Sequence, residues 1–183
     1  MNKRRFNFVW LVLLTSLGGQ ALAEAPIYDQ VRSTLQGYEW QASKYPWRPD
    51  LVPVLVGMAE SDAEALFVRR RAVAALAAIE SKSAAAALLS LASNHRLETV
   101  QRRAIDELCQ VTLRDNAALE NRARVKAVML GLLVNAEPQT RFRAANCLRQ
   151  FGDDKGLLDA LYEYYLTASD WERRLLEPTA SEQ

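Results

Sequence analysis

The side chains of this sequence best suited to chemistry are its arginines, which recur in clusters as Arg69-Arg70-Arg71, as Arg102-Arg103, and as Arg141 with Arg143. A guanidinium grips a carboxylate through two parallel hydrogen bonds, so a row of them would suit an acidic partner. Asp62, Glu64, Glu98, Asp106, Glu107 and Glu137 lie close by and can neutralise much of that charge. Exposed ion pairs contribute little, and structural or solvated roles are favoured for the arginines.

Other reactive groups are sparse. The one histidine, His95, falls in a polar turn, so a His-rich metal site cannot be assembled. There is no Gly-rich phosphate loop and no Cys-x-x-Cys pair, and Asp153 with Asp154 reads as a turn and capping pair. No catalytic, cofactor-binding or metal-binding residue is expected. Cys109 follows Leu108 whereas Cys147 precedes Leu148, which places them on different sides of neighbouring helices. Small buried thiols are therefore favoured over a disulfide, although a disulfide stays open.

The arginines sit on a repeated skeleton. Val68, Ala72, Leu76 and Ile79 return as Val100, Ala104, Leu108 and Val111, and again as Thr140, Ala144, Leu148 and Phe151. Spacings of four, four and three put each quartet on one helical stripe, with a small Ala where another helix can approach. A second stripe, Ala85, Leu88, Leu89 and Ala92, returns as Val125, Val128, Met129 and Leu132, then as Leu157, Ala160, Leu161 and Tyr164. From second helix to next first helix the step is eight residues both times. From first to second helix it is six in the outer copies and fourteen in the middle one, Val111 to Val125. The period is thus 32, with an eight-residue insertion inside Thr112 to Arg124.

A fixed period of paired amphipathic helices, with no strand alternation, predicts an all-α fold, an α-solenoid of stacked antiparallel helix pairs. Three repeats span 61–168, behind a degenerate leading pair in 24–60 and ahead of a C-terminal cap and tail in 169–183. In the leading pair, Val31, Leu35, Tyr38 and Ala42 stripe one helix; Asp50 caps the next, with Pro53 in its first turn. Ser61-Asp62-Ala63-Glu64 reads as a capping box for a helix running to about Glu80. Pro138 suits the first turn of the third unit, Gly152 its inner turn, and Trp171, Leu175 and Leu176 a short covering stripe.

Ahead of the repeats, Met1-Asn2-Lys3-Arg4-Arg5, an apolar run from Phe6 to Leu17 and the ending Ala21-Leu22-Ala23 predict a secretory signal peptide over 1–23, cleaved after Ala23. Removing it takes away three basic residues, leaving 20 Lys plus Arg against 22 Asp plus Glu, a formal charge of −2. A balanced surface offers no case for nucleic acid or anionic lipid. A periplasmic address without membrane insertion is expected; the oligomeric state is left open.

Val-Arg-x-x-Ala-x-x-Ala-Leu at 68–76 and Thr140-Arg141-x-x-Ala144-x-x-Cys147-Leu148 resemble the HEAT repeat family, more narrowly the short bacterial HEAT-like repeats of phycobilisome lyases. The resemblance covers about Asp50 to Ala168 and implies an interaction scaffold whose second helices line a concave side. It also implies that Arg69 and Arg141 pair with acidic residues of nearby turns; Gln101 departs from that pattern.

Candidate binding residues lie outside the stripes. The insertion gives about two turns in which Asn116 could cap a helix carrying Glu120, Asn121, Arg122 and Arg124 beyond its neighbours, and a tolerated surface loop is the equal alternative. Of the aromatics, Tyr38 and Tyr164 suit capping of the core, while Trp47, between two prolines, and Tyr162, off the stripe, suit binding. The chain therefore reads as a non-enzymatic module that binds a partner protein through second-helix faces and the insertion, with Trp47, Glu120, Arg122, Arg124 and Tyr162 as contact residues. The alternative is an accessory lyase- or chaperone-like factor presenting a substrate protein, which a free reactive thiol would support.

Overall fold

The computed structural model describes residues 27–94, 96–114, 119–152 and 155–176. Every regular element among them is helical, as the periodicity demands, and none is long and apolar enough to cross a membrane. The chain falls into two compact units that meet between Gln41 and Ala42, so the two helices of the leading pair lie in different units.

In the first unit a helix, α1, covers residues 27–36, with Val31 and Leu35 buried. It closes where the Gly37 N–H binds the Thr34 carbonyl at 3.2 Å. Tyr38 therefore lies past the helix end and is 99% exposed, which corrects its expected place on the core stripe.

The second unit begins with short 3-10 turns at Ala42–Lys44 and Pro49–Leu51 and continues through α2 (Val52–Glu60), α3 (Leu66–Ala77), α4 (Lys82–Asn94), α5 (Glu98–Arg114), α6 (Leu119–Asn135), α7 (Pro138–Leu148), α8 (Lys155–Thr167) and α9 (Asp170–Leu176). First helices α3, α5 and α7 pack on one another, and second helices α2, α4, α6 and α8 do the same alongside. Backbones approach most closely between a second helix and the first helix that follows it, in α2–α3, α4–α5 and α6–α7. Ala72, Ala104 and Ala144 are fully buried, as close approach of stacked helices requires. Each buried Val, Leu or Ile of the first-helix stripe contributes on the order of 2 kcal/mol of transfer free energy.

Three local expectations need correction. Asp50 does not cap α2: its carboxylate takes Arg48 at 2.8 Å, and α2 starts from Leu51 with no side-chain cap, Pro53 lying in its first turn as foreseen. Ser61 to Glu64 form a separate turn, in which Ser61 Oγ accepts the Ala63 N–H at 3.3 Å. Asp62 is drawn outward onto two arginines, and α3 starts after Ala65 and ends at Ala77, short of Glu80. Finally, α4 is capped by Ser81 Oγ, which accepts the Ala84 N–H at 3.1 Å, and its stripe runs one residue early. Ala84, Leu88, Leu91 and Ala92 are buried there, matching Val125, Met129, Leu132 and Leu133 of α6.

The eight-residue insertion is helical at both ends. α5 and α6 each hold 17 residues, against 12 and 13 in α3 and α4. Asn116 lies outside the described residues.

The helix after α8 is also part of the lattice. Helix-starting carbonyls sit at Ala65, Leu97, Glu137 and Ser169, each accepting the N–H four residues on. Val68, Val100, Thr140 and Glu172, three residues past each of these, are all fully buried. α9 is therefore the first helix of a fourth unit.

Candidate interaction surface

The arginines of the first helices divide by depth. Arg69 is buried, its Nε donating to the Ala59 carbonyl at 3.0 Å and its Nη1 lying 3.2 Å from Asp62 Oδ1. Arg96 reaches the same carboxylate from the next turn at 2.9 Å. Gln101, at the equivalent site of the middle unit, keeps the inner half of the arrangement, with Nε2 donating to the Ala92 carbonyl at 3.0 Å. Arg141 lies over the Tyr164 ring, 5.8 Å from its centroid, and 3.8 Å from Glu172. These side chains span from first helices to the preceding second helix and its turn, or to the following elements, so they hold the array together.

Two more arginines tie α5 to α7. Arg102 binds Glu137 at 2.9 Å, and Arg143 binds Asp106. Glu137 also caps α7, accepting from the Thr140 N–H at 2.8 Å, the Thr140 hydroxyl at 2.7 Å and the Gln139 N–H at 3.0 Å. Burial pushes its carboxyl up, but the Thr140 hydroxyl, the Gln139 N–H and Arg102 outweigh that and hold it below its ordinary value.

Cys109 and Cys147 form a disulfide across the same interface, with Cα atoms 5.7 Å apart. This overturns the preference for free thiols. Parallel stacked copies are related by translation, so α5 offers α7 the flank opposite to the one α7 offers α5. Residues on opposite flanks of the stripe are therefore the ones that meet.

At the last turn, Glu172 is fully buried and accepts from the Tyr164 hydroxyl at 2.7 Å and from the Ser169 N–H and hydroxyl at 2.8 and 2.5 Å. Burial again works to raise this carboxyl, and the Ser169 hydroxyl and N–H, the Tyr164 hydroxyl and the Arg141 charge hold it low. Tyr164 is correspondingly pushed well above its ordinary range by burial and by its bond to Glu172. Glu172 was not foreseen; its signal is the Ser169-x-x-Glu172 capping box, 32 residues after the Glu137 to Thr140 start. The expected covering stripe is realised in part: the Trp171 ring lies against Phe142 at 5.9 Å, and α9 packs on α7.

The five candidate contact residues are dispersed. Trp47 precedes α2, is half-buried, donates from Nε1 to the Ala42 carbonyl at 2.9 Å and leans on Tyr45 at 5.7 Å. Glu120 lies in α6, and its side chain is outside what the structure describes. Arg122 is half-buried, with its guanidinium 5.5 Å from the Phe151 ring centroid, while Arg124 is exposed. Tyr162 is exposed on α8. Arg122, Arg124 and Tyr162 thus share the neighbouring second helices α6 and α8, whereas Trp47 stands at the other end of the stack. Tyr165, of the same C-terminal aromatic cluster, is exposed on α8 with Tyr162, and so are Leu158 and Leu166, which sequence reasoning missed.

Residues 68–94, most of α3 with all of α4, match the family model of the PBS lyase HEAT-like repeat. No curated protein and no solved structure matches the chain. The matched segment is one helix pair of an array in which the same buried Ala and an Arg or Gln at the same position return in the following units, so the all-helical array is consistent with a HEAT-like repeat family.

Proposed function

We propose that this chain is a non-enzymatic interaction module of the periplasm, which binds a partner protein through its second-helix faces and the 112–124 insertion. The observation that carries this reading is the lengthening of α5 and α6 to 17 residues each, which makes both described ends of the insertion helical, with Arg124 exposed and Arg122 half-buried beside it. Insertions in repeat arrays commonly serve binding faces, and a rigid surface avoids the cost of ordering a loop on association. The HEAT-like match favours an interaction or lyase-like role. A disulfide agrees with an oxidising compartment and with the signal peptide read over residues 1–23. The lyase- or chaperone-like alternative rests on the family likeness, and the free reactive thiol that would add support to it is not offered by either cysteine.

The test is cross-linking of the mature chain in periplasmic extract, beside a variant lacking residues 113–120. Recovery of a discrete protein partner with the parent, and its loss in a variant that keeps helicity and melting, is the expected result. Equal recovery by both removes the insertion from the binding face. Loss of cooperative unfolding makes the segment part of the core and overturns its surface role.

A further inference from the structure

Second helices of this array share columns that run along the stack. Ala84, Val125 and Leu157 form one, and Leu91, Leu132 and Tyr164 another, all buried. The column of Ala92, Leu133 and Tyr165 differs. Ala92 is 0% and Leu133 7% exposed, whereas Tyr165 is 38% exposed. In the neighbouring column Leu89 and Leu130 are half-buried, and Tyr162 is 62% exposed. Because α4 and α6 each pack against a following second helix, and these positions are covered on α4 and α6 but exposed on α8, we assign them to the flank turned toward the next second helix. On α8 nothing described takes that place, and Leu158, Tyr162, Tyr165 and Leu166 make an apolar stripe at helical spacing.

A terminal repeat ordinarily turns a polar flank to water. Here the flank is large and apolar, and two of its four residues are Tyr, a residue type enriched at binding hot spots. Beside it stands α9, the first helix of a fourth unit that has no second helix among the described residues. Residues 177–183, Glu-Pro-Thr-Ala-Ser-Glu-Gln, contain Pro178 and no large apolar side chain, so they cannot supply its stripe.

We propose that the α8 flank is the seat for an amphipathic helix of a partner protein, which docks where a further second helix would stack on α8. The inner second helices define its chemistry: apolar residues at i, i+4 and i+7, as in Val125, Met129 and Leu132. Asp159 and Glu163, both exposed, border the stripe, so the incoming helix carries Lys or Arg along that edge. This is helix-in-groove recognition, with the groove formed by a repeat boundary. It rests on the interaction reading above but uses the end of the array, not the insertion.

The probe is a labelled synthetic peptide of residues 119–135, a basic amphipathic second helix of this same array, titrated into the full chain and followed by fluorescence anisotropy. Saturable binding is expected, weakened roughly 30-fold, as for a hot-spot residue, by Tyr162→Glu and by Leu158→Glu, with melting unchanged in both. The variant lacking residues 113–120 binds the peptide as the parent does, so failure of the insertion reading and failure of this one are told apart. Absence of saturable binding overturns the proposal, as does binding indifferent to both substitutions. Sedimentation of a dimer that Tyr162→Glu dissolves assigns the flank to a second copy and overturns it too.

Discussion

Cys109 of α5 is bonded to Cys147 of α7, and the bond lies in one ascending series with Arg102 to Glu137 and Asp106 to Arg143. Because the partners rise together along both helices, α5 and α7 run parallel, as translated copies must. The series spans the two first helices that enclose the extended middle hairpin. Two ion pairs and a covalent link therefore brace the one first-helix interface across which the regular 32-residue step is interrupted.

The folded, unreduced protein should titrate no thiols, and replacing both cysteines by serine should lower its stability. Their separation of 38 residues corresponds to about 4 kcal/mol in the chain-entropy picture. Urea denaturation of parent and double variant, each read by circular dichroism, measures the difference. A midpoint unmoved by the substitutions would show that the α5–α7 contact holds without its link.

Glu172 should make α9 an acid-sensitive element. Its carboxyl is held below the ordinary value of 4.5, so its share of the stability is fully present above that pH and is lost as pH falls through the folded-state value. Glu172→Ala should cost about 3 kcal/mol by leaving the Arg141 and Tyr164 partners unsatisfied. Glu172→Gln keeps the shape without the titration. The stability gap between parent and Glu172→Gln should stay constant above pH 4.5 and shrink below it. Trp171 emission, which reports contact with Phe142, should follow the same curve. A gap that does not change with pH would show that the carboxylate charge does not hold α9.

Arg69 and Gln101 offer a test of what the inward ladder needs. Both reach a backbone carbonyl of the preceding second helix, Ala59 and Ala92. The additional ion pair of Arg69 is to Asp62, a residue well exposed to solvent, and such pairs contribute little. Arg69→Gln should therefore cost under about 1 kcal/mol, whereas Arg69→Leu, which orphans the Ala59 carbonyl, should cost about 2 kcal/mol. Thermal melting separates them; equal losses would show that the guanidinium charge, not the carbonyl bond, is what the site requires.

The sequence by itself determined the helices, their period, the insertion and the small-residue column of Ala72, Ala104 and Ala144. Each of these is a matter of side-chain size and spacing along one helix, and a helix sorts such residues by periodicity alone. The one-residue shift of the α4 stripe was not legible there, since Ala84 and Ala85 are equally apolar and Ser81, through its cap, chose between them. Only the tertiary structure decided which flanks meet. It joined Cys109 to Cys147, drew Asp62 away from capping onto Arg69 and Arg96, buried Glu172 among Ser169, Tyr164 and Arg141, and left Tyr162 and Tyr165 uncovered at the end of the second-helix layer. Those outcomes depend on how copies are placed relative to one another, and a linear pattern shared by every copy does not record which flanks meet.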